Sequence, residues 1–293
     1  MRILITGGTG FIGRHLLPRL QADHHELVLF TRDAQRARRL FPMAQCIERW
    51  HDLHGRVDAV INLAGEGIAD RPWNEKRKQQ LRDSRIALSQ GMVIRLGQIQ
   101  QVPAVVLQGS AIGYYGSSGP AVSESDAAGQ DFAARLCADW EAVVQPLVAA
   151  GSRVCYLRTG VVLGNDGGML KRMLLPFRLG LGGRLGNGQQ MLSWIHIEDW
   201  VAAALHLLGH DQLDGPFNLS AGAVSNAQFT KALARAVHRP AFMHVPAAFL
   251  RIFLGDMSQL LLKGREVVPV HLKKSGYSVL FTSLDDALAH LVR

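Results

Sequence analysis

The chain has 293 residues, of which 48% are hydrophobic and 19% are charged, and its formal net charge is +8 at pH 7. This composition is typical of a globular protein and excludes a largely disordered or low-complexity chain. The longest apolar runs, such as 104–107 and 201–208, are far shorter than a bilayer span, so we expect no transmembrane helix and no membrane partner. Because Lys and Arg are scattered apart from segment 32–39, we expect a basic surface that attracts small anions, and no nucleic-acid partner.

The cysteines Cys46, Cys137 and Cys155 are odd in number, widely spaced and set in apolar surroundings. This pattern is typical of buried free thiols in a reducing compartment. The first apolar run ends at a glycine-rich turn too early to be a secretory signal. We therefore expect a cytoplasmic protein with no disulfide and no metal site.

Short β-branched runs alternate with amphipathic stretches in the first half of the chain, as in a parallel sheet joined by crossover helices. The predicted strands are 2–6, 26–31, 59–63, 104–109 and 154–157. Segment 74–99 predicts one long or broken helix, and segment 131–149 predicts another. Elements in this order indicate an α/β fold with a Rossmann-type doubly wound parallel sheet.

The second half of the chain begins with a glycine-rich basic stretch, 164–188, for which we predict loops, a short helix and a mobile, substrate-side role. Beyond it we predict a strand and helix over 195–208 with Asp199 as helix cap, a strand over 215–220, a helix over 226–237 and an apolar segment over 249–262. The predicted domains are a Rossmann domain, 1–165 with 190–222 returning to it, and a small, mainly helical substrate lobe, 166–189 and 223–293.

The strongest motif is Thr6-Gly7-Gly8-Thr9-Gly10-Phe11-Ile12-Gly13, which lies between the first predicted strand and the first predicted helix. Gly7 permits the tight turn, Gly10 lets a pyrophosphate approach the backbone, and Gly13 lets helix and strand pack closely. The helix start, with Phe11 and Ile12, supplies N–H groups and a partial positive charge for phosphates. The motif in this position predicts dinucleotide binding.

The end of the second strand discriminates between the two nicotinamide cofactors. NAD sites usually have an acidic residue there for the ribose 2′-hydroxyl, but this strand ends Phe30-Thr31-Arg32. A guanidinium at Arg32 suits a 2′-phosphate, with Thr31 and Arg36 as further donors. Asp33 either caps the next helix or contacts the ribose. The predicted cofactor is NADP(H).

With these residues the chain resembles the extended short-chain dehydrogenases, in the atypical branch labelled nucleoside-diphosphate-sugar epimerases. The resemblance covers nearly the whole chain and is carried by segments 6–13, 62–66, 110–116, 158–164, 193–199 and 217–219. It implies that Leu63, Ala64 and Gly65 line the adenosine and ribose side of a bound cofactor. It also implies that Ser110 lies beside the nicotinamide.

The resemblance does not extend to the family's proton-transfer residues. The family has a Tyr-x-x-x-Lys pair on the helix after the Ser-bearing strand, whereas alignment on Glu141 puts Ala133 and Cys137 at those positions. Arg85 stands near the place of the family's active-site Asn. Counting back from Tyr115 leaves open whether Ser110 or Ala111 occupies the hydroxyl position. The family mechanism therefore cannot simply be transferred to this chain.

Replacement catalytic groups are sought near Ser110, and the candidates are Ser110 itself, Tyr114, Tyr115 and His196. Each has a structural alternative, since paired tyrosines often pack and His196 can be a hydrogen-bonded strand residue. Candidate contacts for a polar or anionic substrate, with a nucleotide sugar as one possibility, are Glu66, Arg158, Gln189 and Ser193.

Two functions remain open from the sequence. The first is an NADP(H)-dependent oxidoreductase or epimerase acting on a small polar substrate. The second is a non-catalytic NADP(H)-binding sensor or regulator, which the absence of the Tyr-x-x-x-Lys pair supports. Either protein could form a homodimer through its long helices.

Overall fold

The computed structural model describes residues 1–292 and has a seven-stranded parallel sheet at its centre. The strands are β1 (Arg2–Thr6), β2 (Glu26–Phe30), β3 (Gln45–Ile47), β4 (Ala59–Asn62), β5 (Val105–Ala111), β6 (Arg153–Thr159), β7 (Val161–Leu163), β8 (Gly183–Leu185), β9 (Met191–His196), β10 (Gly215–Leu219), β11 (Gly222–Ser225) and β12 (Met243–Val245). The central sheet has the order β10-β6-β5-β4-β1-β2-β3.

The helices lie between these strands and beyond them. They are α1 (Phe11–Ala22), α2 (Ala34–Leu40), α3 (Glu75–Asp83), α4 (Ile86–Gln98), α5 (Phe132–Ala142), α6 (Gln145–Ala149), α7 (Gly168–Arg178), α8 (Ile197–Gly209), α9 (Asn226–Ala236), α10 (Ala247–Leu254), α11 (Gln259–Leu262), α12 (Val270–Lys274) and α13 (Leu284–Val292).

The predicted Rossmann-type fold is confirmed, and the differences from the predicted elements are local. The segment 74–99 is a broken helix, α3 and α4, and segment 131–149 is broken before Pro146 at the start of α6. The short strands β3 and β7 were not predicted, because three residues carry too little periodicity. The glycine-rich stretch is more regular than expected, with an 11-residue helix, α7.

Both faces of the central sheet are buried. Along β1, Ile3 and Ile5 belong to one hydrophobic cluster, which includes residues of α1, α8, α9 and α13, while Leu4 belongs to a second cluster beside α4 and α6. A sheet covered by helices on both faces needs apolar side chains on both, which explains the near-continuous apolar strands of the sequence. The first cluster continues into the C-terminal helices, so the core extends beyond the central sheet.

The strand order places a switch point between β1 and β4. From β1 the chain proceeds through β2 and β3 in one direction, and from β4 it proceeds through β5, β6 and β10 in the other. Helices leave the carboxyl ends of β1 and β4 on opposite sides, which opens a crevice where ligands of such sheets bind.

Two short sheets and the C-terminal helices lie outside the central sheet. One sheet has the order β11-β9-β7 and the other pairs β12 with β8. Our prediction that Asp199 caps α8 is wrong, because His196 is the N-cap and accepts a hydrogen bond from the Glu198 N–H. Asp199 instead accepts hydrogen bonds from the backbone N–H groups of Leu280 and Phe281, at 2.6 and 3.0 Å, and so fixes the segment before α13.

No helix within residues 1–292 is both long and apolar enough to span a bilayer.

The close packing at Gly13 gives a stability test. A Cβ atom at Gly13 would lie 2.6 Å from the Gly8 carbonyl carbon, whereas one at Gly97, in α4, meets nothing within 4 Å. We expect Gly13→Ala to lower the free energy of unfolding by about 1 to 3 kcal/mol through steric overlap. Gly97→Ala is the matched control and should leave it unchanged or raise it by up to about 1 kcal/mol, through helix propensity. Urea denaturation of both variants checks this, and equal effects would contradict the packing argument.

Candidate functional site

The glycine loop after β1 lies directly against the end of β4. Gly7 has a φ of +73°, and a Cβ atom there would lie 2.6 Å from the Leu63 carbonyl carbon. Gly10 closes the turn by donating its N–H to the Gly7 carbonyl at 3.0 Å. Glycine is therefore required at position 7 both by the backbone conformation and by the lack of space.

The start of α1 is left without a protein partner. Its N-cap is Gly10, no side chain caps it within the described residues, and its first turn has no acidic residue. In contrast, Asp33 caps α2 by accepting the Arg36 N–H at 2.8 Å, which is the first of the two roles considered for Asp33. The N–H groups and positive end of α1 thus remain available to an anion.

The side chains of Phe11 and Ile12 are used in packing, which leaves their backbone for a ligand. Both pack against the larger hydrophobic cluster. A Cβ atom at Gly164 would lie 2.6 Å from the Phe11 ring, and Gly168 at the start of α7 lies against the same ring. The glycines of this stretch therefore let α7 approach the glycine loop closely.

Arg32 follows β2, and 87% of its side chain is exposed. Its Nη1 lies 3.6 Å from Oε1 of Glu66, and Thr31 accepts the Asp33 N–H at 3.3 Å. A guanidinium this exposed keeps most of its donors free. It can therefore hold a phosphate at the sheet edge where β1 and β2 end.

Glu66 connects Arg32 to a buried arginine that sequence reasoning missed. The other carboxylate oxygen of Glu66 accepts a hydrogen bond from Arg77, which is 5% exposed and also donates to the Gly67 carbonyl at 2.9 Å. Arg77 gave no signal in the sequence because it lies in a charged helix. Glu66, predicted to contact substrate, has a carboxylate that is already paired with arginines.

A buried polar network supports the carboxyl ends of β1, β4 and β5. Thr6 donates to Asn62 at 2.5 Å and accepts the Ala64 N–H at 3.1 Å. Asn62 in turn donates to Ser89 and to Gln108, both at 2.8 Å. Because buried polar groups are costly unless paired, this network fixes the backbone from which Leu63, Ala64 and Gly65 follow.

A buried ion pair lies at the end of β5. Arg158 donates to both carboxylate oxygens of Glu141 at 2.9 Å, and Ser110 donates to the same carboxylate at 2.6 Å. All three residues are buried. The hydroxyl of Ser110 and the guanidinium of Arg158, predicted as catalytic and substrate-binding groups, are therefore joined to Glu141.

The two candidate tyrosines differ in their environments. The Tyr115 hydroxyl donates to Asn218 at 2.7 Å and accepts from Arg158 at 3.0 Å, and burial raises the pKa of this phenol. The ring of Tyr114 lies 3.5 Å from the Arg158 guanidinium and edge-on to the Tyr115 ring. Within residues 1–292 the Tyr114 hydroxyl has no hydrogen-bond partner. Tyr114 thus keeps a free phenol beside the ion pair.

Glu124 extends this network to the C-terminal segment and was also missed from the sequence. Its carboxylate accepts the backbone N–H groups of Asn218 and Val270, both at 3.0 Å. It lies in an irregular segment whose sequence has no helix or strand pattern. Only the tertiary structure brings it to β10.

His196 lies apart from the tyrosine cluster. It is fully buried, stacks on Phe281 at 3.9 Å and has Nε2 3.2 Å from Nδ1 of His290. Burial lowers the pKa of His196 to about 4. His196, Glu198 and His290 could hold a metal ion by distance alone. However, Nδ1 of His196 accepts the Glu198 N–H, so Nε2 carries the proton of the neutral ring and is not free as a ligand.

The remaining substrate candidates lie on β9 and before it. Ser193 is buried, accepts the Val267 N–H at 2.9 Å and donates to the Arg265 carbonyl at 3.3 Å. Gln189 is exposed in the loop between β8 and β9. Ser193 therefore fastens the C-terminal segment to β9, while the Gln189 side chain is free to meet a ligand.

Comparison with known proteins gives matches along the chain. The model of the NAD dependent epimerase/dehydratase family matches residues 3–220, and that of a domain of unknown function, DUF1731, matches residues 245–291. An epimerase family protein of Mycobacterium bovis is 39% identical over 299 residues, which cover 98% of this chain and 96% of the relative. The epimerase family protein SDR39U1 of Bos taurus is 36% identical over 303 residues, with 100% of both chains covered.

Solved structures of related proteins resemble this chain in fold. The crystal structure of human epimerase family protein SDR39U1 (isoform 2) with NADPH has a TM-score of 0.91 and 34% identity, covering 100% of this chain and 99% of that chain. MoeE5 in complex with UDP-glucuronic acid and NAD has a TM-score of 0.80 at 21% identity, covering 100% of this chain and 98% of that one. The latter similarity is one of fold.

The buried His196 predicts a dependence of stability on pH. Its pKa of about 4 in the folded chain lies below the ordinary 6.5, so the unfolded chain takes up the proton first as the pH falls. The free energy of unfolding should thus fall by up to about 3 kcal/mol between about pH 6.5 and pH 4. His196→Asn keeps a cap acceptor and removes the titration, so denaturation curves across this range should be flatter for the variant. If the free energy of unfolding of the variant fell with pH as steeply as that of the wild type, His196 would not be the group responsible.

Proposed function

This chain belongs to the NAD dependent epimerase/dehydratase family, and on that premise we propose that it binds NADP(H) and catalyses an oxidoreductase or epimerase reaction on a small polar substrate. The observation that carries the proposal is the exposed Arg32 guanidinium, which follows β2 at the same sheet edge at which β1 leads into the uncapped start of α1. An acidic residue in the place of Arg32 would favour NAD instead. The relative SDR39U1, whose crystal structure is described as having NADPH, supports the choice of cofactor.

The residues of the crevice fit a phosphorylated dinucleotide. The backbone from Gly10 to Gly13 would hold the diphosphate, with Arg32 and Thr31 on the 2′-phosphate. Leu63, Ala64 and Gly65, fixed by the polar network below them, would line the ribose. When bound, NADP(H) supplies or accepts the hydride, and the protein orients it and manages one proton.

The proton role is assigned to Tyr114. The hydroxyls of Ser110 and Tyr115 are held by Glu141, Arg158 and Asn218, and His196 contacts the C-terminal segment. Tyr114 alone among the four candidates has a hydroxyl without a partner in the described part of the chain. A free phenol can exchange a proton with a substrate oxygen.

The substrate is proposed to be a small polar molecule, with nucleotide sugars as the first class to test. MoeE5, which shares the fold, was crystallised with UDP-glucuronic acid. In this chain the exposed Gln189 is a candidate contact, while Glu66, Arg158 and Ser193 support the site through their protein partners. Burial of the free thiols Cys46, Cys137 and Cys155 supports a cytoplasmic location, and a homodimer remains a prediction.

A non-catalytic NADP(H) sensor is the second candidate. It is favoured by Ala133 and Cys137 at the positions of the family's Tyr and Lys, and by the burial of Ser110 and Tyr115. The sensor and the enzyme make the same prediction for cofactor binding. They differ in whether any substrate is turned over.

Cofactor preference is tested at Arg32. Arg32→Asp should weaken NADPH binding by about a hundredfold, since it replaces a charge-assisted pair by a repulsion, and should change NADH binding little. Arg39→Asp, the same change at an exposed position of the last turn of α2, is the control. Fluorescence titration with NADPH and NADH measures both. An undiminished preference for NADPH in Arg32→Asp would overturn the cofactor assignment.

Catalysis is tested by turnover of NADP(H) with a panel of nucleotide sugars and small carbonyl compounds. We expect turnover with at least one compound and a loss of about a hundredfold or more in kcat for Tyr114→Phe, with NADPH affinity unchanged. Gln189→Ala is the control and should act on KM. If NADPH binds and no compound reacts, the sensor is favoured. If Tyr114→Phe reacts like the wild type, a group other than Tyr114 transfers the proton.

A further inference from the structure

Arg85 lies between α3 and α4, and its side chain contacts the loop that follows β4. Its Nη2 donates to the Glu66 carbonyl at 3.0 Å, and its Nη1 donates to the Leu81 carbonyl at 3.2 Å. These acceptors are neutral backbone oxygens. They fix the guanidinium in one position.

The charge of Arg85 is not paired directly with a carboxylate in the described residues, and the Glu66 carboxylate attracts it only from a greater distance. In residues 1–292 no carboxylate lies within ion-pairing distance of it, although Arg32, Arg77 and Arg158 each have one. Arg85 is half-buried, and this partial burial lowers the pKa of its guanidinium below the ordinary value, which reflects the cost of desolvating the cation. Such a group is expensive unless a ligand or partner provides acceptors for it.

The guanidinium lies where β4 and β5 end. A Cβ atom at Gly65 would be 2.7 Å from its Cζ, and the Trp140 ring of α5 is 5.3 Å away on another side. Trp140 itself packs against Gly109 of β5. Because Arg32 marks the adenosine end at β2, a dinucleotide crossing the switch point from β2 has its other half on the β4 and β5 side.

The helix α5 supplies no cation to that half of the crevice. Its Cys137, at the position where the family has Lys, is buried, and burial raises the pKa of its thiol to about 11. The thiol is therefore neutral at pH 7. The shorter side chain leaves the neighbouring space to a group arriving from another helix.

We propose that Arg85 replaces this missing cation and binds the hydroxyl groups of the nicotinamide ribose. The inference rests on the proposed binding of NADP(H) and adds a residue to it. The free N–H groups of Arg85 donate to the ribose oxygens, and the hydrogen bonds to Glu66 and Leu81 hold the guanidinium in place for them. Arg85 is then a cofactor-binding residue of the nicotinamide half, as Arg32 is of the adenosine half.

The test compares two ligands that differ in the nicotinamide half. NADPH contains both halves, whereas adenosine 2′,5′-bisphosphate contains the adenosine and its 2′-phosphate only. We expect Arg85→Met to weaken NADPH binding by about tenfold to a hundredfold, as for loss of hydrogen bonds from a charged donor, and to change the affinity for the bisphosphate less than twofold. Arg32→Ala should weaken the binding of both ligands. Calorimetric titration of the full chain measures each affinity.

Two further variants distinguish a specific loss of NADPH binding from a general loss of folding. Arg85→Lys keeps the cation and should recover most of the NADPH affinity, while Arg85→Gln keeps a donor to the backbone and should bind NADPH as weakly as Arg85→Met. Wild-type affinity for NADPH in Arg85→Gln would overturn the inference, and so would an equal loss for both ligands. Failure of the unaltered protein to bind NADPH would instead overturn the proposed function.

Discussion

The buried ion pair between Glu141 and Arg158 is the interaction on which the arrangement of the site depends. It joins α5 to β6, and through the hydroxyls of Ser110 and Tyr115 it also joins the end of β5 and the turn after it. Removing one member of such a pair leaves an uncompensated buried charge and costs about 3 to 5 kcal/mol, whereas the intact pair is satisfied by further hydrogen bonds. The consequence for chemistry is direct. Hydroxyls that hold a buried ion pair are not free to shuttle protons. Ser110 and Tyr115 therefore support the site, whereas the phenol of Tyr114 has no hydrogen-bond partner among residues 1–292.

Glu66 links the two ends of the proposed cofactor crevice. Its carboxylate lies between the exposed Arg32 and the buried Arg77, and its backbone carbonyl accepts from Arg85. The residue predicted to contact substrate thus places arginines at both the adenosine and the nicotinamide side. Since a carboxylate paired with a buried guanidinium is held rigidly, the loop after β4 becomes a fixed wall of the crevice. A polar group that positions others can resemble a ligand contact in the sequence, because both are charged residues that follow a strand.

The sequence predicted those parts of the fold and site that depend on neighbouring residues. The glycine loop and strands β1 and β2 follow from local patterns with which the structure agrees to within one residue, and the cap at Asp33 is one of the two roles that the sequence left open. The rest depends on residues far apart in the chain. Tyr114 and Tyr115 are adjacent, yet only Tyr115 meets Asn218, 103 positions away, and no local pattern distinguishes them. Asp199 is a common helix-capping residue and lies at the start of a helix. Its carboxylate, however, is hydrogen-bonded to residues 280 and 281, and His196 is the N-cap.

The absence of the Tyr-x-x-x-Lys pair does not by itself indicate a site that has lost its chemistry. A crevice without function would have no reason to keep a half-buried guanidinium with no carboxylate paired directly to it, because an apolar residue at position 85 would remove the cost of desolvation. Nor would it need a polar network that fixes the carboxyl ends of β1, β4 and β5 so closely. Arg85 and Tyr114 both border the position of the missing pair, Arg85 beside Cys137 and Tyr114 beside the ion pair of α5. In the proposals made above, a cation for the cofactor and a phenol for the substrate thus come from two elements on either side of α5.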